Sequence, residues 1–429
     1  MTMQDSDAPM PADHSGLIES MPGGECRFCG AALTQQFVDL GMSPLCETFL
    51  TQSELNTMEP FYPLRVWVCG GCFLVQLQEY VSPEEIFREY AYFSSYSQAW
   101  LKHASDYTDA MQERFSLDAK SLVVELASND GYLLQYFVAK GIPVLGIEPA
   151  VNVARDAEER GVRTRTEFFG ADYAAELVTE GFRADLIVAN NVLAQVPDLN
   201  SFVEGIGTLL APEGVATIEF PHLLQLMQQN QFDTIYHEHF SYFSLHTTQK
   251  IFAAHGMRVF DVDELWSHGG SLRVFACRED ATHVRTDAVG ELVAREDAAE
   301  LSLLDGYTQF EEQVRETKRS LLEFLITQKR AGSRIVGYGA PGKGNTLLNY
   351  CGIREDLVEF TVDRNPYKHG RFLPGTHIPI HSPEALDEAR PDLVLILPWN
   401  LREEISEQLS HIRSWGGRFV VPIPKVEVF

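Results

Sequence analysis

Two stretches of this chain read alike. SLVVELASNDGYLLQYFVAKG, residues 121–141, runs from an apolar strand through a polar turn at Ser128–Gly131 into a helix that stops at Gly141. SRIVGYGAPGKGNTLLNYCG, residues 333–352, repeats that order around a glycine-rich turn. A continuous apolar strand needs cover on both faces, and the helix that follows it supplies one layer of that cover. Further strands follow each unit: PVLGIEP, ADLIVANNVLAQVPD and GVATIEFPH after the first, EFTVDRNP and DLVLILPWN after the second. Strands alternating with helices predict an α/β fold with two doubly wound, Rossmann-like units. Ligands of such sheets bind at the carboxyl ends of the strands. A chain of 429 residues has room for both units and a smaller third domain.

Cysteine spacing marks that third domain. CRFC (Cys26, Cys29) and CGGC (Cys69, Cys72) offer four thiolates, a set that suits tetrahedral zinc. Four protein ligands close the coordination sphere, so the zinc is expected to be structural. Cys46 falls between the knuckles and is not expected to be a ligand. The start, MTMQDSDAPMPADHSG, is acidic and polar and lacks the basic-then-apolar order of a secretion signal. Residues 1–22 are expected to be a disordered tail, 23–80 the zinc-binding domain, 81–300 the first Rossmann-like domain and 301–429 the second Rossmann-like domain. The last opens on a long amphipathic helix that ends at Gly332. With 34 Lys and Arg against 61 Asp and Glu, the formal charge is −27, which disfavours nucleic acid and anionic membranes as partners. No apolar run is long enough to span a bilayer, and a cytoplasmic location is expected.

The first α/β turn is E-L-A-S-N-D-G, not G-x-G-x-x-G. Glu125 and Asp130 there would repel a pyrophosphate but accept a sulfonium cation. Glu148, closing the second strand, is placed to bind ribose hydroxyls. S-adenosylmethionine is therefore the expected cofactor, held by Glu125, Ala127, Asn129, Asp130, Gly131, Glu148, Asn190 and Asn191. In the second unit, Lys343 and Asn345 at a helix start suit a diphosphate, and Trp399 at a strand end suits stacking. Asp363 has the spacing of a dinucleotide fingerprint. An NAD(P)-dependent oxidoreductase acting on a nucleotide sugar thus stays open as the alternative.

TIYHEHFSYFS, residues 234–244, gathers two histidines, a glutamate and two tyrosines. Histidines two apart do not share a helical face, so a catalytic metal is not expected here. An acid/base centre and a packed hydrogen-bonded loop both fit.

The order of the zinc knuckles, ELASNDGYLL, ANNVLA-VPDL, YHEHFSYFS and GYGAPGKGNTLLN resembles the S-adenosylmethionine-dependent sugar C-methyltransferases of antibiotic deoxysugar pathways, over about residues 23–429. The resemblance implies methylation at C3 of a dTDP-linked 4-keto-deoxysugar bound between the middle and C-terminal domains. It implies His239 as the general base, with Tyr236 and Glu238 in support and Tyr90 lining the site. Where the family has a histidine, this chain has Gln195, which hydrogen-bonds but takes no proton at neutral pH. Proton loss from C3 gives an enolate that attacks the sulfonium methyl. Tyr236 or His237 is expected to donate to its oxygen, and Glu238 to hold an imidazole tautomer or bind the sugar. Gln195, Tyr242, Lys343, Asn345 and Trp399 are the expected substrate contacts, and the protein is expected to be a monomer.

Overall fold

The computed structural model describes residues 23–82, 86, 94–96 and 98–429. The tail 1–22 and Tyr90 lie outside the described residues. The strands of the first sheet are β1 (Gln35–Ser43), β2 (Tyr62–Val68) and β3 (Val75–Leu77). The middle unit supplies β4 (Val123–Leu126), β5 (Val144–Ile147), β6 (Thr164–Arg165), β7 (Ala184–Asn190) and β8 (Leu210–Pro221). There follow β9 (Ser241–Tyr242), β10 (Met257–Leu265) and β11 (Ser271–Arg278). The C-terminal unit holds β12 (Ile335–Tyr338), β13 (Thr361–Val362), β14 (Ile380–His381), β15 (Leu393–Ile396), β16 (Arg418–Val421) and β17 (Glu427–Val428).

The middle sheet is ordered β10-β11-β8-β7-β4-β5-β6. Its strands from β6 through β8 run parallel, whereas β11 is antiparallel to both β8 and β10. A dinucleotide-binding Rossmann sheet has six strands in the order 3-2-1-4-5-6. The antiparallel β11 wedged beside β8 sets this sheet apart from it. The C-terminal sheet is ordered β14-β13-β12-β15-β16-β17, parallel except for β17.

The first sheet is ordered β1-β2-β3-β9, so its fourth strand comes from beyond β8. The zinc-binding domain expected at 23–80 is therefore completed by Ser241 and Tyr242, which pair with Gln76 and Val75. One apolar core joins this sheet to the C-terminal unit through the long helix Phe310–Arg330. That helix buries Phe310, Val314, Thr317, Leu321 and Leu325, a spacing that keeps them on one face. Phe310 stacks on Phe37 of β1 at 4.5 Å between ring centroids, and burying rings of this size contributes about 1.5–3 kcal/mol each. Glu311 and Glu312 in its first turn and Lys329 and Arg330 in its last match the helix dipole, and Gly332 beyond it takes the left-handed backbone of a terminator.

Candidate active site

The turn after β4 carries most of the expected cofactor residues. Ala127 has φ 53° and Asn129 φ 48°, both left-handed, and Gly131 has φ 75°. A Cβ on Gly131 would stand 3.0 Å from Val162. An alanine at such a φ costs on the order of 1–2 kcal/mol, and that strain sits at a ligand-facing turn. The Glu148 carboxylate, at the end of β5, accepts from the Asn129 amide at 2.9 Å and the Ala150 amide at 2.8 Å. Burial pushes its pKa up to about 7. Asp130 pairs with Arg160 at 2.8 Å, so one of its oxygens is taken up structurally. Among the described residues its other oxygen has no hydrogen-bond partner, nor do Glu125 Oε2, Ser128 Oγ, both amide atoms of Asn190, or Asn191 Oδ1. Buried polar atoms are rarely left so. These lie at the carboxyl ends of β4 and β7, and their mix of acceptors and one amide donor fits an adenosyl group carrying a sulfonium. A cavity of about 750 Å³ lined by Arg114, Phe115, Asp185 and His283 lies at the opposite, amino ends of the strands, away from these groups.

The TIYHEHFSYFS segment ends the loop that follows the short helix Leu223–Gln228 and runs through β9. His239 Nδ1 stands 2.9 Å from the Thr234 carbonyl. A carbonyl only accepts, so Nδ1 carries the proton and Nε2 keeps a lone pair. The ring lies 4.1 Å from that of Tyr236, and both residues are partly exposed. Burial, with the positive charge of Lys343 adding to it, lowers the imidazole pKa to about 4.

The neighbours of His239 point elsewhere. The sequence reading has Glu238 holding an imidazole tautomer or binding the sugar; in the structure the Thr234 carbonyl holds the His239 tautomer. The Glu238 carboxyl instead accepts from the Cys46 thiol at 3.4 Å, is buried, and has its pKa raised to about 8 by burial and by Glu47. His237 is also buried, with Nε2 3.2 Å from the Pro63 carbonyl at the start of β2. Tyr242 is buried in the zinc-domain core, its ring 6.4 Å from His239. Gln195 closes a 3-10 turn whose Ala194 carbonyl accepts from the Phe240 amide at 2.7 Å.

The C-terminal unit presents the helix Gly342–Cys351 to this loop. Lys343 Nζ donates to Asn400 Oδ1 at 2.9 Å and lies 4.9 Å over the Trp399 ring. The Trp399 indole donates to Asp233 Oδ2 at 2.7 Å, across the boundary between units. Asn345 is buried, and its amide nitrogen has no hydrogen-bond partner among the described residues. Asp363 is spent on its own turn: its oxygens accept from the Ala340 and Asn365 amides at 2.7 and 2.8 Å. Sequence reasoning missed a second cluster. At the end of β8, Glu219 is buried against Arg273 Nε at 2.7 Å and His103 Nε2 at 3.2 Å. His103 stacks on Trp100 at 4.9 Å, and His268 meets the edge of Trp100 at 5.8 Å. His103 lies in the helix Gln98–Phe115 with no motif around it, so nothing in the sequence announces this cluster.

The sulfurs of Cys26, Cys29, Cys69 and Cys72 all lie within 4.8 Å of one another, with Cys26–Cys72 at 3.6 Å and Cys29–Cys69 at 3.5 Å. Thiolates on one zinc, each about 2.3 Å away, stand about 3.8 Å apart, so the four cysteines fit that ion. Gln76 Nε2 donates to Cys26 Sγ at 3.1 Å and the Gly71 amide to Cys69 Sγ at 3.4 Å, support that stabilises thiolate charge.

A zinc-bearing domain, a seven-stranded sheet with an antiparallel strand beside β8, and a polar turn fitted to an adenosyl group define an S-adenosylmethionine-dependent methyltransferase. Family models match in the same order: a zinc binding domain over residues 26–87, a methyltransferase domain over 99–262 and a C-methyltransferase C-terminal domain over 266–424. The chain is 38% identical over 410 residues to C-methyltransferase NovU of Streptomyces niveus, covering 95% of this chain and 97% of that protein. It belongs to that C-methyltransferase family. Ubiquinone biosynthesis O-methyltransferase of Azorhizobium caulinodans is 27% identical over 121 residues, 26% of this chain and 47% of that protein. Among solved structures, magnesium protoporphyrin IX methyltransferase (ChlM) from Synechocystis PCC 6803 with bound SAH is 14% identical at a TM-score of 0.35, covering 46% of this chain and 92% of that one. Among the described residues no helix is long and apolar enough to cross a membrane.

Proposed function

We propose that this enzyme methylates C3 of a dTDP-linked 4-keto-deoxysugar, with His239 as the base that forms the enolate. The observation that carries the reading is the fixed tautomer of His239. Thr234 holds Nδ1–H, which leaves the Nε2 lone pair on a partly exposed ring. A ketone makes the neighbouring C–H acidic enough for a well-placed imidazole. S-adenosylmethionine, when bound, supplies the methyl carbon as electrophile. The Tyr236 ring packs at a tilt against the base, 4.1 Å between ring centroids, and limits its orientation. Glu125, Asn129 and Glu148, with Asn190 and Asn191, are the proposed cofactor contacts. Gln195, beside the loop, is proposed to position the sugar without exchanging a proton. The zinc, closed by four thiolates, has no open position for substrate.

The test is mass spectrometry of dTDP-4-keto-sugars incubated with enzyme and S-adenosylmethionine, read for the gain of one CH₂. His239→Asn is expected to lower turnover at least about 100-fold, the low end for general-base catalysis, while S-adenosylhomocysteine still raises the Tm. Full activity of that variant would remove His239 from the mechanism.

A further inference from the structure

A base as weak as His239 sets a requirement on its surroundings. It deprotonates a carbon only if the resulting negative oxygen is strongly stabilised in the same site. Tyr236 is a neutral donor, and His237 is turned into the zinc domain.

Lys343 meets the requirement. Its ammonium contacts a neutral amide, Asn400, and the face of Trp399. Among the described residues no carboxylate reaches it within ion-pair distance; Asp233 acts on it from further off and is itself engaged by the Trp399 indole. A desolvated cation in a chain of net charge −27 that still lacks a carboxylate partner is a place for an anion. The helix that begins with Gly342 and Lys343 packs directly on the loop of the base. A Cβ on Gly342 would stand 3.6 Å from the Tyr236 ring, and Thr346 Oγ1 donates to the Ile235 carbonyl at 2.9 Å.

We propose that Lys343 is a catalytic residue whose ammonium receives the C4 oxygen as it turns into an enolate, and not an anchor for the diphosphate. This rests on the function proposed above. The C3–H bond breaks and its proton goes to His239 Nε2. The electron pair moves into the C3–C4 bond and onto the oxygen facing Lys343. The oxygen pair then re-forms the carbonyl, the C3–C4 π pair forms the new C–C bond to the methyl, and S-adenosylhomocysteine leaves with the pair of the broken methyl–sulfur bond. His239 gives its proton to solvent. A diphosphate spreads its charge over several oxygens and is ordinarily met by several donors. Here one point charge faces the reach of the base.

The discriminating measurement is deuterium uptake at C3 of the keto sugar in D₂O, with S-adenosylhomocysteine in place of the methyl donor, beside calorimetric dTDP binding. Wild type is expected to exchange the C3 proton. Lys343→Gln is expected to exchange roughly 10²–10³-fold more slowly, with dTDP affinity within about twofold of wild type. Lys343→Arg, which keeps the charge, is expected to recover part of the exchange, and it serves if the glutamine variant fails to fold. Wild-type exchange in Lys343→Gln at saturating sugar, or a tenfold loss of dTDP affinity with exchange intact, overturns the proposal. A wild-type enzyme that neither exchanges nor methylates any keto sugar fails at the proposed function itself, whatever the variants do.

Discussion

Glu238 shows what a residue inherits from partners far away in sequence. The motif YHEH sets it beside the base, yet its carboxyl is bonded to Cys46 in the zinc domain. Burial raises its folded pKa to about 8, above the 4.5 of an open chain. The folded state therefore binds a proton that the unfolded state releases between these values. Stability is fully present below about pH 4.5 and is lost as pH rises through 8. Glu148 at about 7 and Asp233 at about 6 slope the same way. Glu238→Gln cannot ionise, so chemical denaturation should show the variant gaining on wild type between pH 5 and pH 8.5, by on the order of a few kcal/mol. An equal difference at both pH values would mean that Glu238 does not titrate. Residue types at the site were readable from sequence; their partners were not. Nothing near Glu238 announces Cys46, and nothing near Ala127 announces a left-handed backbone, since alanine disfavours it.

The short strand β9 ties the zinc domain to the proposed base. It starts two residues after His239 and pairs with β3, which follows the second zinc knuckle. The Leu77 amide donates to the Phe240 carbonyl at 2.9 Å, and Thr247 Oγ1 to the Cys72 carbonyl at 3.2 Å. From the first knuckle, Arg27 Nη1 donates to the Pro197 carbonyl at 3.1 Å, and His237 is held at Pro63. A zinc held by these knuckles would steady the loop through those bonds. Chelating the zinc is expected to cut turnover tenfold or more and open the 229–244 segment to protease, while S-adenosylhomocysteine binds within about threefold of its holoenzyme affinity, because the middle sheet keeps its own core. Parallel loss of cofactor binding would show that the whole chain, and not the loop, depends on zinc. The four cysteines and the long strands were legible because spacing and apolar runs carry them. A two-residue strand has no period to read, so the pairing that joins the two functions was invisible.

At the scale of the molecule, the two α/β units do different work although their sequences echo each other. The middle unit opens the carboxyl ends of β4 and β7 to a ligand. The C-terminal unit closes its own turn with Asp363, then offers Lys343 and Trp399 to its neighbour. The glycine-rich turn and fingerprint spacing pointed to a dinucleotide, because sequence cannot tell an aspartate that awaits a ribose from one that holds its own loop. The bond from the Trp399 indole to Asp233, both buried, joins the units at the site beside that from Thr346 to the Ile235 carbonyl. Removing that donor strands a buried carboxyl, which costs about 1–3 kcal/mol. Trp399→Phe keeps most of the ring volume and loses only the N–H and part of the stack under Lys343. Asp233→Asn leaves an amide the indole still reaches. If the bond couples the units, the double-mutant cycle from denaturant melts should give an interaction of roughly 0.5–3 kcal/mol, and Trp399→Phe should weaken keto-sugar turnover while sparing S-adenosylhomocysteine affinity, since the proposed cofactor contacts lie in the middle unit. Strict additivity of the two changes would mean that this bond does not couple the units, and that Lys343 takes its position from its own helix.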